Sequence, residues 1–215
     1  MNRTILILSA ALPLLALLGT APAAQDTRTP IKADHEFVLR MKAVAKSSRT
    51  IQCTLTQEKH VHYLKEPAIS PGTFAYERPG KFRWELNGAQ PTTILTVDGK
   101  VRVKENGKEK VLGDVDRKIY AGVNDMVMKI MDGEHTLGDG AKPRYFIENG
   151  DLLVVIMPTA SRLGKRFKQM ELRFAKSNFH LYEMTTLEAD GDRTVVKFAT
   201  PVLDKPVPVE VFTQL

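Results

Sequence analysis

Cysteine is almost missing from this 215-residue chain: Cys53 stands alone. A single cysteine excludes an internal disulfide framework and any site built from several thiolates. It lies far from the N-terminus, so the cysteine that a lipid-anchored bacterial precursor needs at its cleavage point is absent too. Tryptophan is equally scarce, with Trp84 the single example. No Gly-x-Ser-x-Gly, no His-Glu-x-x-His and no glycine-rich phosphate loop occurs, and no cysteine–histidine pair has a catalytic setting. Ser161 and Ser177 stand beside basic residues and not beside a credible base. These absences argue against an enzyme, and no catalytic residue, metal or cofactor is expected. His60 and His62 would share one side of a strand, but two histidines without a third ligand make a weak metal site. Cys53 alternates with Ile51 and Leu55 and reads as a buried structural thiol.

Long apolar runs are also lacking, with one exception. Ile5 to Leu18 is nearly unbroken, preceded by Arg3 and followed by the small residues Ala21-Pro22-Ala23. That is the three-part pattern of a secretory signal peptide, residues 1–23, cleaved near Ala24 or Gln25. The run falls short of the roughly 20 residues that span a membrane comfortably. Residues 24–215 are therefore expected to form one soluble periplasmic domain without a lipid anchor. The net charge is +6, and loss of Arg3 with the leader makes it +5. A mild, dispersed positive charge speaks against nucleic acid and suits contact with anionic lipid or an acidic protein. Mid-chain linkers, repeats and low-complexity segments are absent. A monomer is expected.

Residues 25–33 read as a polar lead-in. Asp34 can cap a helix to about Ser48, with Phe37, Met41, Val44 and Ala45 at helical spacing. From Arg49 the period changes to two, and strands dominate thereafter. They are expected at 49–63, 92–97, 100–105, 108–112, 144–148, 152–157, 167–176, 179–188 and 193–199. Asp98-Gly99, Asn106-Gly107, Asn149-Gly150 and Asp190-Gly191 supply tight turns between them. The aromatic hairpin completes a meander of about ten strands, more than an open sheet carries without curling. The fold class is mainly β: a strongly curved, incomplete antiparallel barrel with an N-terminal helix. One interruption, residues 117–131, reads as a short methionine-rich lid helix capped by Asn124 or Asp125. Met126, Val127, Ile130 and Met131 form its apolar stripe, expected to lie over the concave face. Residues 134–143 are expected as loop, and Arg162, Lys165, Arg166 and Lys168 as a solvated basic cluster.

The densest feature is Phe74-Ala75-Tyr76-Glu77-Arg78-Pro79-Gly80-Lys81-Phe82-Arg83-Trp84-Glu85. Phe74 and Tyr76 share a face of one strand, and Phe82, Trp84 and Leu86 a face of the next. Pro79 and Gly80 turn the chain between them. A sheet face this aromatic needs a cover, whether core, lid or ligand.

The order of signal peptide, helix, Ile51 to Lys59, the Gly-x-Φ-x-Φ-x-Arg-Pro-x-x-Φ-x-Trp corner from Gly72 to Trp84, and Asp98-Gly99-Lys100 resembles the LolA family over roughly residues 34–200. That resemblance implies a periplasmic carrier of outer-membrane lipoproteins, a twisted half-barrel whose mouth is lidded by helices. It implies acylated cargo taken from an inner-membrane ABC-type lipoprotein-releasing transporter and passed to an outer-membrane acceptor. It places the family's lid-latching arginine on Arg78. The acyl-chain cavity is expected from Phe74, Tyr76, Phe82, Trp84, Met126, Ile130, Met131, Met157 and Met170. Leu215 falls soon after the last predicted strand, so the extra C-terminal strand of some members is expected to be absent. A carrier of another acylated lipid or glycolipid, and a lipid-sensing binding domain, are the alternatives the residues leave open.

Overall fold

The computed structural model describes residues 28–134, 142–158 and 165–215. The leader, Arg162, His135 and most of the 134–143 loop lie outside the described residues. In chain order the elements are β1 (Arg28–Ile31), α1 (Glu36–Ser47), β2 (Thr50–His60), β3 (Ala68–Glu77), β4 (Lys81–Leu86), β5 (Thr92–Val97), β6 (Lys100–Glu105), β7 (Lys108–Glu109), α2 (Asp114–Met131), β8 (Arg144–Glu148), β9 (Asp151–Ile156), β10 (Phe167–Phe174), β11 (Leu181–Glu188), β12 (Arg193–Phe198), β13 (Val202–Leu203) and α3 (Glu210–Thr213).

All thirteen strands join one sheet in the order β1-β8-β9-β10-β11-β12-β2-β3-β4-β5-β6-β7, with β13 also on β2. Every pairing is antiparallel, and the path is open, with β1 and β7 at its edges. Asp98, Asn106 and Asn149 have positive φ, as do the glycines after them, so these hairpins take the turns that match strand twist.

Alternation sorts the side chains cleanly. Across the middle of the sheet Cys53 pairs Phe74, Phe74 pairs Trp84 and Trp84 pairs Ile94. One step along, Ile51 pairs Tyr76 and Tyr76 pairs Phe82. These inward rows meet Val38 and Met41 of α1 and Met126, Val127 and Ile130 of α2 in one core. The outward face is covered differently at its two ends. Phe212 of α3 packs with Leu95 and Ala75 against β3 and β5. On β8 to β11, Arg28 and Arg173 bridge Glu148 and Glu171, and Arg173 also reaches Glu183.

Several expectations are corrected. Residues 28–31 are not lead-in but an edge strand, registered Arg28 to Glu148 and Ile31 to Tyr145. Backbone pairing supplies what the polar Arg28-Thr29-Pro30 sequence does not advertise. The α1 cap is His35, whose Nδ1 accepts from the Phe37 N–H at 3.1 Å, and not Asp34. The inserted helix is long: α2 runs for 18 residues from a Gly113 cap with no side-chain bond. Its first turns are poor in core contacts, so the apolar stripe marks only its second half. Asp114 and Asp116 in its first turn and Lys129 in its last complement the helix dipole.

Candidate functional site

An apolar cavity of about 260 Å³ lies between the concave face and the two helices. Phe74, Phe82 and Trp84 form its floor, with Ile51 and Cys53 beside them, and Met126, Ile130 and Met131 form its roof. The floor rings interlock: Phe74 to Trp84 centroids are 5.7 Å apart and Trp84 to Phe198 5.8 Å, both edge to face. Edge-to-face packing holds flat rings firmly without closing the space above them. The roof methionines suit a cavity of variable filling, because an unbranched thioether adapts at little cost.

Six of the nine expected cavity residues line it: Phe74, Phe82, Trp84, Met126, Ile130 and Met131. Tyr76 and Met170 share the concave face but are packed solidly, each at 1% exposure, and belong to the core behind the cavity. Met157 is a correction. Leu152, Val154 and Ile156 of β9 point into the core. Met157 follows with the opposite sense past the strand end, is 46% exposed, and lies against the Arg144 guanidinium.

Lining residues that sequence reasoning left out include Phe174, Phe179, His180, Met184 and Phe198. Met184 and Phe198 take inward positions on their strands, but nothing local says which part of that face stays hollow. Polar groups are few. His180 lines the wall with its buried Nδ1 unpartnered, and burial lowers its pKa. Cys53 lines the cavity instead of being sealed in the core, and burial pushes its thiol to about 11, so little of it is thiolate near neutrality and it reacts slowly while buried.

Arg78 sits in the corner between β3 and β4, where the two helices end. Its Nε donates to the Ser48 carbonyl at 2.9 Å and its Nη2 to the Ala45 carbonyl at 2.8 Å, both at the C-terminal end of α1. The same Nη2 donates to the Met131 carbonyl at 2.8 Å, and Nη1 pairs with the Asp132 carboxylate, both at the end of α2. The last carbonyls of a helix lack intrahelical partners and carry partial negative charge. One guanidinium thus satisfies two helix ends at once, which its planar fork of donors suits. Gly133 completes the joint. It ends α2 with φ +69°, and a Cβ there would stand 2.9 Å from the Lys42 Cα of α1. Only a residue without a side chain lets the two helices meet this closely.

His60 and His62 turn to different partners. His62 Nδ1 lies 2.9 Å from Asp192 Oδ1, while His60 Nε2 lies 3.7 Å from Glu58. Among the described residues no three His, Cys, Asp or Glu side chains gather, and no helix is long and apolar enough to cross a membrane.

An open half-barrel with an apolar cavity, roofed by helices that one arginine joins, defines a class of binding protein. The chain belongs to the LolA family: residues 46–214 match its model, described as outer membrane lipoprotein carrier protein LolA. An outer-membrane lipoprotein carrier protein of Methylococcus capsulatus is 29% identical over 129 residues, covering 60% of this chain and 61% of that protein. The chain thus spans less than two thirds of that relative. One of the same name from Dechloromonas aromatica is 24% identical over 191 residues, covering 85% of each. Among solved structures, a LolA superfamily protein from Nitrosomonas europaea aligns over 83% of this chain and 96% of its own, at 10% identity and a TM-score of 0.41.

Proposed function

We propose that the protein is a periplasmic carrier that holds the acyl chains of lipoproteins in this cavity and ferries them from inner to outer membrane. The observation that carries the reading is the cavity itself: hollow, aromatic-floored and methionine-roofed, under helices whose ends are joined by hydrogen bonds from one arginine. Its present volume of about 260 Å³ sits just under the roughly 300–1,000 Å³ of small-molecule sites. Several acyl chains need more room, so loading lifts the roof.

The energetics favour such exchange. Each buried methylene contributes about 0.8 kcal/mol, so three or four of them match the ~1.5–3 kcal/mol of a hydrogen bond to a charged group. Entering acyl chains therefore displace the Arg78 bonds on even terms, and the re-forming bonds help eject them. The reading assigns no catalytic step and no cofactor. It places an inner-membrane ABC-type transporter as donor and an outer-membrane acceptor as recipient.

Native mass spectrometry of the protein purified from the periplasm tests the reading. A co-purified acylated lipoprotein is the expected result. A bound non-protein lipid would keep the cavity and change the cargo. An empty protein that also takes up no fluorescent acyl probe would refute the carrier reading.

A further inference from the structure

The turn joining β2 to β3 lines no part of the cavity, yet it and the start of β3 carry three exposed large apolar side chains. Tyr63 is 75% exposed, Leu64 53% and Ile69 60%. We propose that this turn is a membrane-contact tip that seats in the interface of an anionic bilayer.

The tip is held in place. The Leu64 N–H donates to the Val61 carbonyl at 2.9 Å, closing a tight turn around His62 and Tyr63. The His62 N–H donates to Asp192 Oδ1 at 3.1 Å, and its ring Nδ1 lies 2.9 Å from the same oxygen. Asp192 is itself only 7% exposed, so it anchors the turn to the β11–β12 hairpin. The Tyr63 ring packs edge-on against His62 at 5.0 Å, which props it outward. An apolar tip fixed in this way gains nothing from water.

Its surroundings match lipid headgroups. Lys65 lies in the turn, Arg193 begins the neighbouring β12, and Lys165, Arg166 and Lys168 approach from the start of β10. The Ala189 N–H donates to the Arg166 carbonyl at 2.8 Å, which ties that segment to the same rim. Glu188 is taken up by Lys59 at 3.7 Å and Arg166 at 3.8 Å, and Glu58 by Lys197 at 2.7 Å. Lys65, Lys165 and Lys168 make no ion pair among the described residues. Glu66 and Asp190 offset them only in part, so the rim keeps a positive excess. Tyrosine at headgroup depth, an aliphatic residue below it and lysines reaching back to phosphate form the usual interfacial arrangement. Two side chains on one turn and a third at the start of β3 are too small for a stable protein interface, which buries at least about 1,000 Å².

The position has a use under the carrier reading, though the contact does not depend on it. Gln57, six residues before Tyr63 on β2, lines the cavity. Six residues span at most about 20 Å, so a seated tip brings the cavity's edge within reach of the bilayer.

Vesicle flotation with protein purified from cells expressing the full chain tests the proposal. Phosphatidylglycerol-containing vesicles are compared with pure phosphatidylcholine ones. The expected result is binding to the anionic vesicles that weakens with salt and falls at least tenfold in a Tyr63→Ser, Leu64→Ser double variant. Lys65→Gln should weaken it about fivefold, as expected for one cation near an anionic surface. Thermal melting and Arg78-dependent closure, unchanged in these variants, show that the fold is intact. Failure to float with anionic vesicles overturns the proposal. So does equal binding to both vesicle types, or undiminished binding by the folded double variant. Loss of transfer to an acceptor without any vesicle binding would make the tip a protein contact, which also overturns it.

Discussion

Replacing Arg78 by leucine should open the roof by an amount the structure lets us size. Of the four bonds Arg78 makes, two tie down the end of α2: the Met131 carbonyl at 2.8 Å and the Asp132 carboxylate. A hydrogen bond from a charged donor nets ~1.5–3 kcal/mol. The Asp132 side chain is 50% exposed, so water screens that pair and about 0–1 kcal/mol is its due. Lifting α2 away from the clamp thus costs about 2 kcal/mol less in Arg78→Leu, a roughly thirtyfold larger open population. Cys53 reports it. It is the single cysteine and it lines the cavity, so a bulky aromatic disulfide reagent reaches it only when the roof lifts. The variant should therefore react about thirtyfold faster than the parent at the same pH. Arg78→Lys should lie near the leucine variant, because an ammonium cannot serve both helix ends with a fixed fork. A labelling rate within twofold of the parent, in a variant that melts normally, would refute the clamp. Under the carrier reading Arg78→Leu should also load cargo and release it poorly.

Trp84→Asp should weaken binding of a fluorescent acyl probe at least a hundredfold, since it removes a large, half-buried ring from the cavity floor and puts a carboxylate in an apolar wall. Unchanged binding by a folded variant would move the site elsewhere. Tyr76→Phe should be neutral or raise stability by about 1 kcal/mol, because the Tyr76 hydroxyl is buried without a partner; denaturant unfolding that shows a clear loss would mean the hydroxyl is satisfied. The Cys53 thiol is neutral when folded up to about pH 11, against an ordinary 9.0. Stability should thus be intact below about pH 9 and fall between there and 11, where the unfolded chain alone can ionise, and Cys53→Ser should remove that part of the fall. Gly72→Ala should cost about 1–3 kcal/mol in unfolding, because a Cβ there would collide with the Glu85 carbonyl oxygen across β3 and β4.

The strand alternation from Ile51 to Leu55 and from Phe74 to Trp84 was legible because a period of two leaves no choice of face once one face is buried. The Asn-Gly and Asp-Gly turns were legible because so few residues accept positive φ. What escaped had physical reasons of its own. β1 owes its existence to β8, whose paired residues stand 114 to 120 positions further along the chain, from Ile31–Tyr145 to Arg28–Glu148, and its own residues prefer nothing in particular. The first half of α2 carries Val115 at 69% exposure, so no stripe announces it. Met157 has a residue type that suits a cavity wall but the wrong parity for one, since Ile156 faces inward. Tyr76 and Met170 had the right parity, but depth within a face is set by the helices above it, and no local pattern records that. The latch position of Arg78 came from family resemblance; the bonds to both helix ends are visible only once the chain is folded.

The sheet order has a consequence for how the chain becomes a protein. β2 forms early in the sequence, but one of its two main neighbours is β12, with Arg193 set against His60. Until about 130 further residues have arrived, β2 has β3 on one side and an unfilled ladder on the other. Contacts this distant in sequence are slow to form, and the sheet cannot take its full curve before its last long strand is in hand. A chain that emerges from its N-terminus would thus have the central ladder of its cavity only late, once β12 can pair with β2. Synthesis order and strand order are thus out of step, and the site comes into being only when nearly all of the polypeptide is present.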